Sequence, residues 1–500
     1  LAAGFQIDGA SGAENVFVID GQEVTNFRTG QLNSNNNLPF ELLQEVQVKS
    51  TGFEAEYGGA TGGVINAVTA GGNDNWRGNF GISFQPSKFQ GDPNAFINRF
   101  STSSPTIEYF TPNKDGGTNF FPVANFSGPI VKGKVWGSVT YAPQVFETRR
   151  TIDYFNQTNP TGRTTTQTQV YDAKFTSQYA LARIDAQPTS KLRLFGTFLW
   201  NPDYQDGLLP ATNEGLGGAP QSVNFGGSTG LLTGPALLGF QGGRRNSNSV
   251  NGQATYNPTN YLVLNFRGGR SFLNEKLNSY GIPQVTRYIC STNNAGVPAG
   301  AGCNSGFQNI ANNFNINFDV STRTTFDADA GLFVNLGGRH AFKFGYQFNR
   351  LFNTVDQGYV GLGIITLFYG IPINSIGAPN TPTPGNLGSG RLQRFGTVGE
   401  ASSKNQSLYA QDSWQIANRL TLNLGIRIEK EEVPNFGTSG SQAIEFSWGD
   451  KVSPRFGAAF DLFGNGKTKV FGSYGWFYDR FKYELPRGSF GGDFFRRDFL

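Results

Sequence analysis

The residues able to do chemistry in this chain are few, and their spacing is wrong for most of it. Gly226-Gly-Ser-Thr-Gly230 has the Gly-x-Ser-x-Gly spacing of a serine nucleophile. That motif needs a strand before it, a helix after it and a histidine base. Here it stands in a Gly-rich stretch with no helical pattern following, and it reads as loop. The chain has a single histidine, His340, in a Gly-Gly-Arg-His turn. Histidine acid–base work and a multi-histidine zinc site are thereby excluded. Gly58, Gly59, Gly62 and Gly63 suggest a phosphate cradle, but no Lys-Ser/Thr ends it and β-type Val64-Ile-Asn-Ala-Val-Thr69 follows. They read instead as a sharp, close crossing of chain. Asp327 and Asp329 alternate with Phe326, Ala328 and Ala330, so both point to one side of a strand, with no calcium loop around them. Glu429, Glu431 and Glu432 end a strand and enter a loop, which makes a solvated rim the default. Cys290 and Cys303 either form one disulfide in an oxidising compartment or are two free thiols in a loop. No enzyme, cofactor or metal is expected.

Those residues must be positioned by strands. In 500 residues there are 67 Gly, 46 Phe and 18 Tyr, with only 15% charged, which suits one large β-structure better than several soluble domains. Mean hydropathy is −0.35 and no apolar run approaches the length of a membrane helix. Barrel strands escape that criterion, because residues facing the interior dilute the average. A net charge of +4 without basic blocks argues against a nucleic-acid partner. With no initiator Met and no signal peptide, the chain reads as an internal piece of a longer precursor.

From Trp76 onward, alternating strands recur. Trp76, Gly78, Phe80, Ile82 and Phe84 share one face. So do Leu192, Leu194, Phe198 and Trp200; Phe342, Phe344, Tyr346 and Phe348; and Leu420, Leu422, Leu424, Ile426 and Ile428. Short turns are expected at Ser127-Gly-Pro, Gln187-Pro-Thr-Ser, Tyr256-Asn-Pro-Thr-Asn, Gly337-Gly-Arg-His, Ala417-Asn and Phe463-Gly-Asn-Gly. Long polar connections alternate with them, about 87–118, 147–168, 202–248, 273–322, 353–404 and 431–452. Short turns on one side and long loops on the other, joined by roughly thirteen strands, describe a transmembrane barrel.

Before Trp76 the pattern differs. Asn15-Val-Phe-Val-Ile-Asp20-Gly21 is followed by a helix expected over Pro39 to Gln44, a strand carrying Glu45, Val46 and Lys49, the crossing Tyr57-Gly58-Gly59…Gly62-Gly63, and a strand containing Asn66. This segment resembles the plug domain of TonB-dependent outer-membrane receptors, in their Oar-like branch. Family plugs often read Leu-Arg-Gly-Pro where this chain has Lys49-Ser-Thr-Gly52. Leu408-Tyr-Ala-Gln-Asp-Ser-Trp414 and Gly475-Trp-Phe-Tyr-Asp479 look like barrel strands of the same receptors.

The resemblance implies an all-β-dominated fold: a small α/β plug over 1–72 lacking its N-terminal part, and an antiparallel barrel over 73–500 lacking its last strands. It implies active import across the outer membrane, energised by the inner-membrane TonB–ExbB–ExbD complex. The barrel sits in outer-membrane lipid and takes an unknown extracellular ligand, with the Oar-like branch pointing to polysaccharide or polypeptide. Arg28, Lys49, Glu54 and Glu56 on the plug are expected to meet Lys343, Arg427 and Glu429 on the wall, since a buried charge needs a partner. The rival readings are a passive porin or adhesive surface barrel with an inert plug, and a secreted soluble β-protein.

Overall fold

The computed structural model describes residues 6–50, 52–99, 107–220, 222–224, 231–290, 308–369, 388–417, 419–437 and 442–499. The Gly226–Gly230 motif and Cys303 lie outside the described residues. Two sheets carry the architecture. The first is small and N-terminal: β1 (Val16–Ile19), β2 (Gln22–Glu23), β3 (Leu43–Lys49) and β4 (Val64–Thr69), in the order β2-β1-β4-β3. β1 runs parallel to β4, and β3 runs antiparallel to it. One face packs Phe17, Ile19 and Val24; the other packs Val16, Phe53, Ala60 and Val64. The helix expected from Pro39 is a single 3-10 turn, Phe40–Leu42, because the chain pairs with β4 from Leu43 onward.

The second sheet is the wall. Each antiparallel pass pairs with the next, from Arg77–Pro86 through Thr118–Val131 to Lys469–Gly475. Several passes are two strands end to end, such as Val135–Tyr141 with Gln144–Phe155 and Thr165–Ser177 with Ala180–Thr189. Merged in this way, the described passes match the expected number.

The side-chain pattern is inside out. Phe80 is 79% exposed, and Phe126, Val139, Ile184, Val250, Phe326, Phe344, Ile426 and Phe456 join it on the outer face. The inner face buries Ser127, Thr140, Thr197, Arg323, Asp329, Asn353, Ser407, Arg427 and Ser453. A soluble sandwich would bury the first set and wet the second, so the apolar ladders turn outward. His340 is the second residue of the strand Arg339–Tyr359, just past the turn at Gly337-Gly338, its Nδ1 2.7 Å from Asp412 and its ring stacked between Trp414 and Phe342.

Two further expectations fail. Ser127-Gly-Pro129 is no turn, because the strand runs on to Val131 and the chain reverses at Gly133, which has φ +72°. A Cβ on Gly128 would run into the Trp76 ring, so that glycine serves packing rather than turning. Most of the long connections are also shorter than expected, although 87–118 stands, the wall strands ending at Pro86 and resuming at Thr118. Leu262–Tyr280 and Phe314–Asn335 pair deep into 273–322, and Arg339–Tyr359 and Gly388–Ile416 pair deep into 353–404. Backbone ladders form through Asn, Ser and Thr as readily as through apolar residues, which composition alone hides.

Candidate functional site

The N-terminal sheet lies against the polar inner face of the wall, and the contact between them is where charge collects. Four clamps hold it. The first is Arg28, whose Nη1 donates to Asp319 Oδ2 at 2.5 Å and whose Nη2 pairs with Glu275. Arg487 reaches the same Asp319 oxygen at 3.1 Å. The second is Glu23, set between Arg323 at 3.1 Å and Arg480 at 2.5 Å. Burial alone would raise the Glu23 carboxyl, but the two guanidinium groups outweigh it and hold the pKa down at about 2.

The third clamp is the loop after Phe53. Glu56 pairs with Lys343, and its backbone N–H donates to Gln411 Oε1 at 3.1 Å. Arg455 Nη1 donates to the Glu54 carbonyl at 2.6 Å. Arg427, fully buried, donates to the Ala55 and Glu56 carbonyls at 3.2 Å, to Ser407 Oγ at 2.5 Å and to Glu429 at 2.7 Å. The fourth is Asp20, in the β1–β2 turn with Gly21, both at positive φ. Its carboxylate accepts from Thr69 N at 2.8 Å and Thr69 Oγ1 at 2.6 Å, so the turn is tied to the end of β4. Arg183 of the wall then donates to the Thr69 carbonyl at 3.0 Å while forking onto Asp185.

The segment that carries Arg480 and Arg487 also packs on the sheet directly. After Lys469–Gly475 the chain folds inward, and Tyr483 N donates to the Phe27 carbonyl at 3.0 Å. The buried Tyr483 ring meets Phe27 edge-on at 4.8 Å and its hydroxyl lies 2.6 Å from Ser403 Oγ.

The four crossing glycines divide into two kinds. Gly58 faces Arg427 and Glu429 so closely that a Cβ would collide with both, and Gly59, at φ +74°, lies under the Arg480 guanidinium. Gly62 and Gly63 instead admit Asn15 and Ile7 of their own sheet. Asn66 lines a cavity of about 140 Å³ between sheet and wall. Glu45 and Val46 lie on the exposed edge strand β3, away from the wall.

Of the charges expected to meet across the boundary, Glu56 with Lys343 does so. Arg28 crosses too, but to Glu275 and Asp319, which lie within the expected connection 273–322 and stand on strands there. Lys49 and Glu54 pair with each other at 2.8 Å, Lys49 lying over the Tyr57 ring, so neither side chain reaches the wall. Arg427 and Glu429 pair along their own strand. Glu429 and Glu431 are buried, Glu431 against Lys451, rather than forming a solvated rim, because the strand continues to Pro434. Asp327 and Asp329 do face inward, onto Arg267. Sequence reasoning does not find Glu23, Arg183, Arg455 or Arg480; of these only Arg455, in register with the buried Ser453, carries a local signal. Cys290 is buried and disulfide-bonded, and the sequence holds one other cysteine, Cys303.

Among the described residues no group of acidic, histidine or cysteine side chains is placed to hold a metal ion. The arrangement grips a small sheet through ion pairs and hydrogen bonds from the wall.

A family model described as an outer membrane beta barrel domain matches residues 147–492. The chain is 26% identical to the TonB-dependent transporter Oar of Myxococcus xanthus, over 98% of this chain and 49% of that protein. In fold it is similar to the outer membrane transporter YddB from Escherichia coli (TM-score 0.60, 15% identity, 96% of this chain and 55% of that one). It is also similar to the ferric enterobactin receptor of Pseudomonas aeruginosa (TM-score 0.54, 12% identity, 95% and 56%). The chain spans about half the length of these relatives.

Proposed function

The chain belongs to the outer membrane beta barrel domain family, and from that premise we propose that it is part of a receptor that imports a ligand through a plugged barrel, with energy from the TonB–ExbB–ExbD complex. Residues 1–72 act as the plug and 73–500 as wall in the bacterial outer membrane. One observation carries the reading: the inner face is rich in charge and is occupied by a separate sheet, gripped at Arg28, Glu23, Glu56 and Asp20. A passive pore has no use for a stopper held by several ion pairs, whereas an energised transporter must hold and release one. By analogy with the Oar-like branch alone, the ligand we propose is a polysaccharide or polypeptide rather than a small chelate.

The test compares cells with and without the protein for uptake of labelled oligosaccharide and oligopeptide mixtures, before and after the proton-motive force is collapsed. Import that stops on collapse supports the reading. Import that continues unchanged makes the barrel a passive pore.

A further inference from the structure

The grip on the plug is lopsided. Toward the strands Phe314–Asn335, Arg339–Tyr359, Leu420–Pro434 and Gln442–Asp461, it is held by Arg323, Lys343, Arg427 and Arg455. On the opposite side, a cavity of about 820 Å³ separates the end of the plug from the strands Val135–Tyr141, Ala180–Thr189, Leu192–Trp200 and Gly242–Thr259. Gly71, Trp136, Asp185, Arg193 and Thr255 line it, and Arg183 stands at its inner edge. Gln187, Arg193 and Thr255 each lie a few residues from a short turn, so the cavity opens at the turn end of the wall.

What closes this side above the cavity is mostly uncharged. Leu42 packs on Leu181, Leu199 and Ala142, and the Tyr179 hydroxyl donates to the Ser34 and Asn37 carbonyls at 3.2 Å. Two guanidinium groups reach the plug on this side: Arg245, paired with Asp203 of the wall, donates to Ser34 Oγ at 2.6 Å, and beside the cavity Arg183 meets Asp20 at 3.4 Å and the Thr69 carbonyl at 3.0 Å. Its other nitrogens stay on Asp185. Arg183 can therefore let go of the plug without losing its charge partner. Arg323 lacks that choice, because its charge partner Glu23 belongs to the plug.

We infer that the plug parts from the wall along the 135–141, 180–189, 192–200 and 242–259 strands, that the cavity is the turn-side half of the path, and that Arg183 is its latch. The inference rests on reading the N-terminal sheet as a plug, and it locates where that plug yields.

The test needs neither ligand nor energy source: ionic conductance of the purified protein in planar bilayers, with potassium chloride as probe. Arg183→Ala should raise conductance several-fold over the unaltered protein. Arg183→Lys, which keeps the charge but loses the fork, should give a smaller rise, and it serves where the alanine variant does not insert. Two cysteine tethers then locate the leak. A Cβ on Gly71 lies 3.6 Å from Asp185 Cγ, and one on Gly425 lies 3.0 Å from Ala55 Cβ, both close to disulfide reach. In the leaky background, oxidising Gly71→Cys/Asp185→Cys should restore the low conductance and reduction should release it. Oxidising Ala55→Cys/Gly425→Cys should leave the leak open. An unchanged conductance in both Arg183 variants, or closure by the second tether and not the first, overturns the inference. Neither result bears on whether import is energised, which the uptake experiment decides separately.

Discussion

Gly58 and Arg427 meet with no room for a Cβ between them: the guanidinium that holds the Ala55 and Glu56 carbonyls lies against the bare α-carbon of Gly58. Gly58→Ala should push Arg427 off Glu429 and Ser407 and leave a buried charge short of partners, a loss of about 3 kcal/mol. Protease accessibility of the plug should rise sharply. Gly62→Ala, which meets Asn15 and Ala10 rather than the wall, should disturb the small sheet but leave Arg427 in place.

Lys343 and Lys49 offer a paired comparison. Lys343→Ala removes the partner of Glu56 across the boundary and should weaken plug attachment by about 2 kcal/mol. Lys49→Ala breaks a half-exposed pair inside the plug and should cost less than about 1 kcal/mol. A double-mutant cycle with Glu56→Ala should show coupling for Lys343 and none for Lys49.

Glu23 makes the plug acid-sensitive. Its carboxyl is held at about 2 in the folded protein against 4.5 as a free group, because Arg323 and Arg480 outweigh the effect of burial. A depressed carboxylate contributes stability that is full above about pH 4.5 and is lost as pH falls toward 2. Plug release, followed by proteolysis against pH, should extend over that window. Glu23→Gln should loosen the plug at neutral pH and flatten this part of the profile.

The outward ladders can be tested by charge. Phe344 lies five residues from the start of its strand on the lipid side. Phe344→Arg should destabilise the inserted protein by about 2–4 kcal/mol, read from unfolding in detergent or lipid. Phe344→Leu should cost far less.

The fold was legible because alternation survives in each wall strand: Phe80, Phe344 and Ile426 announce an apolar face whatever their partners. The charged seam was legible only in part. Glu56 and Lys343 could be paired from their places on plug and strand. Glu275 and Asp319 could not, because the polar run around them looks like loop until its neighbours show that it is paired. Arg183 and Arg480 gave no local sign at all. Their roles depend on which passes stand opposite the plug, a long-range fact about the assembled wall rather than the sequence around them. Lys49 misled for the opposite reason: Glu54, five residues on, satisfied it first.

The length of the passes has one more consequence. Phe314–Asn335 pairs with Arg339–Tyr359 along nearly its whole extent, roughly 70 Å of strand at about 3.3 Å per residue. The hydrocarbon band it crosses is only about 25 Å tall. Even tilted, these two passes extend well beyond that band. A macromolecule arriving from the medium would meet their ends well above the headgroups, so an antibody raised against those ends should label intact cells.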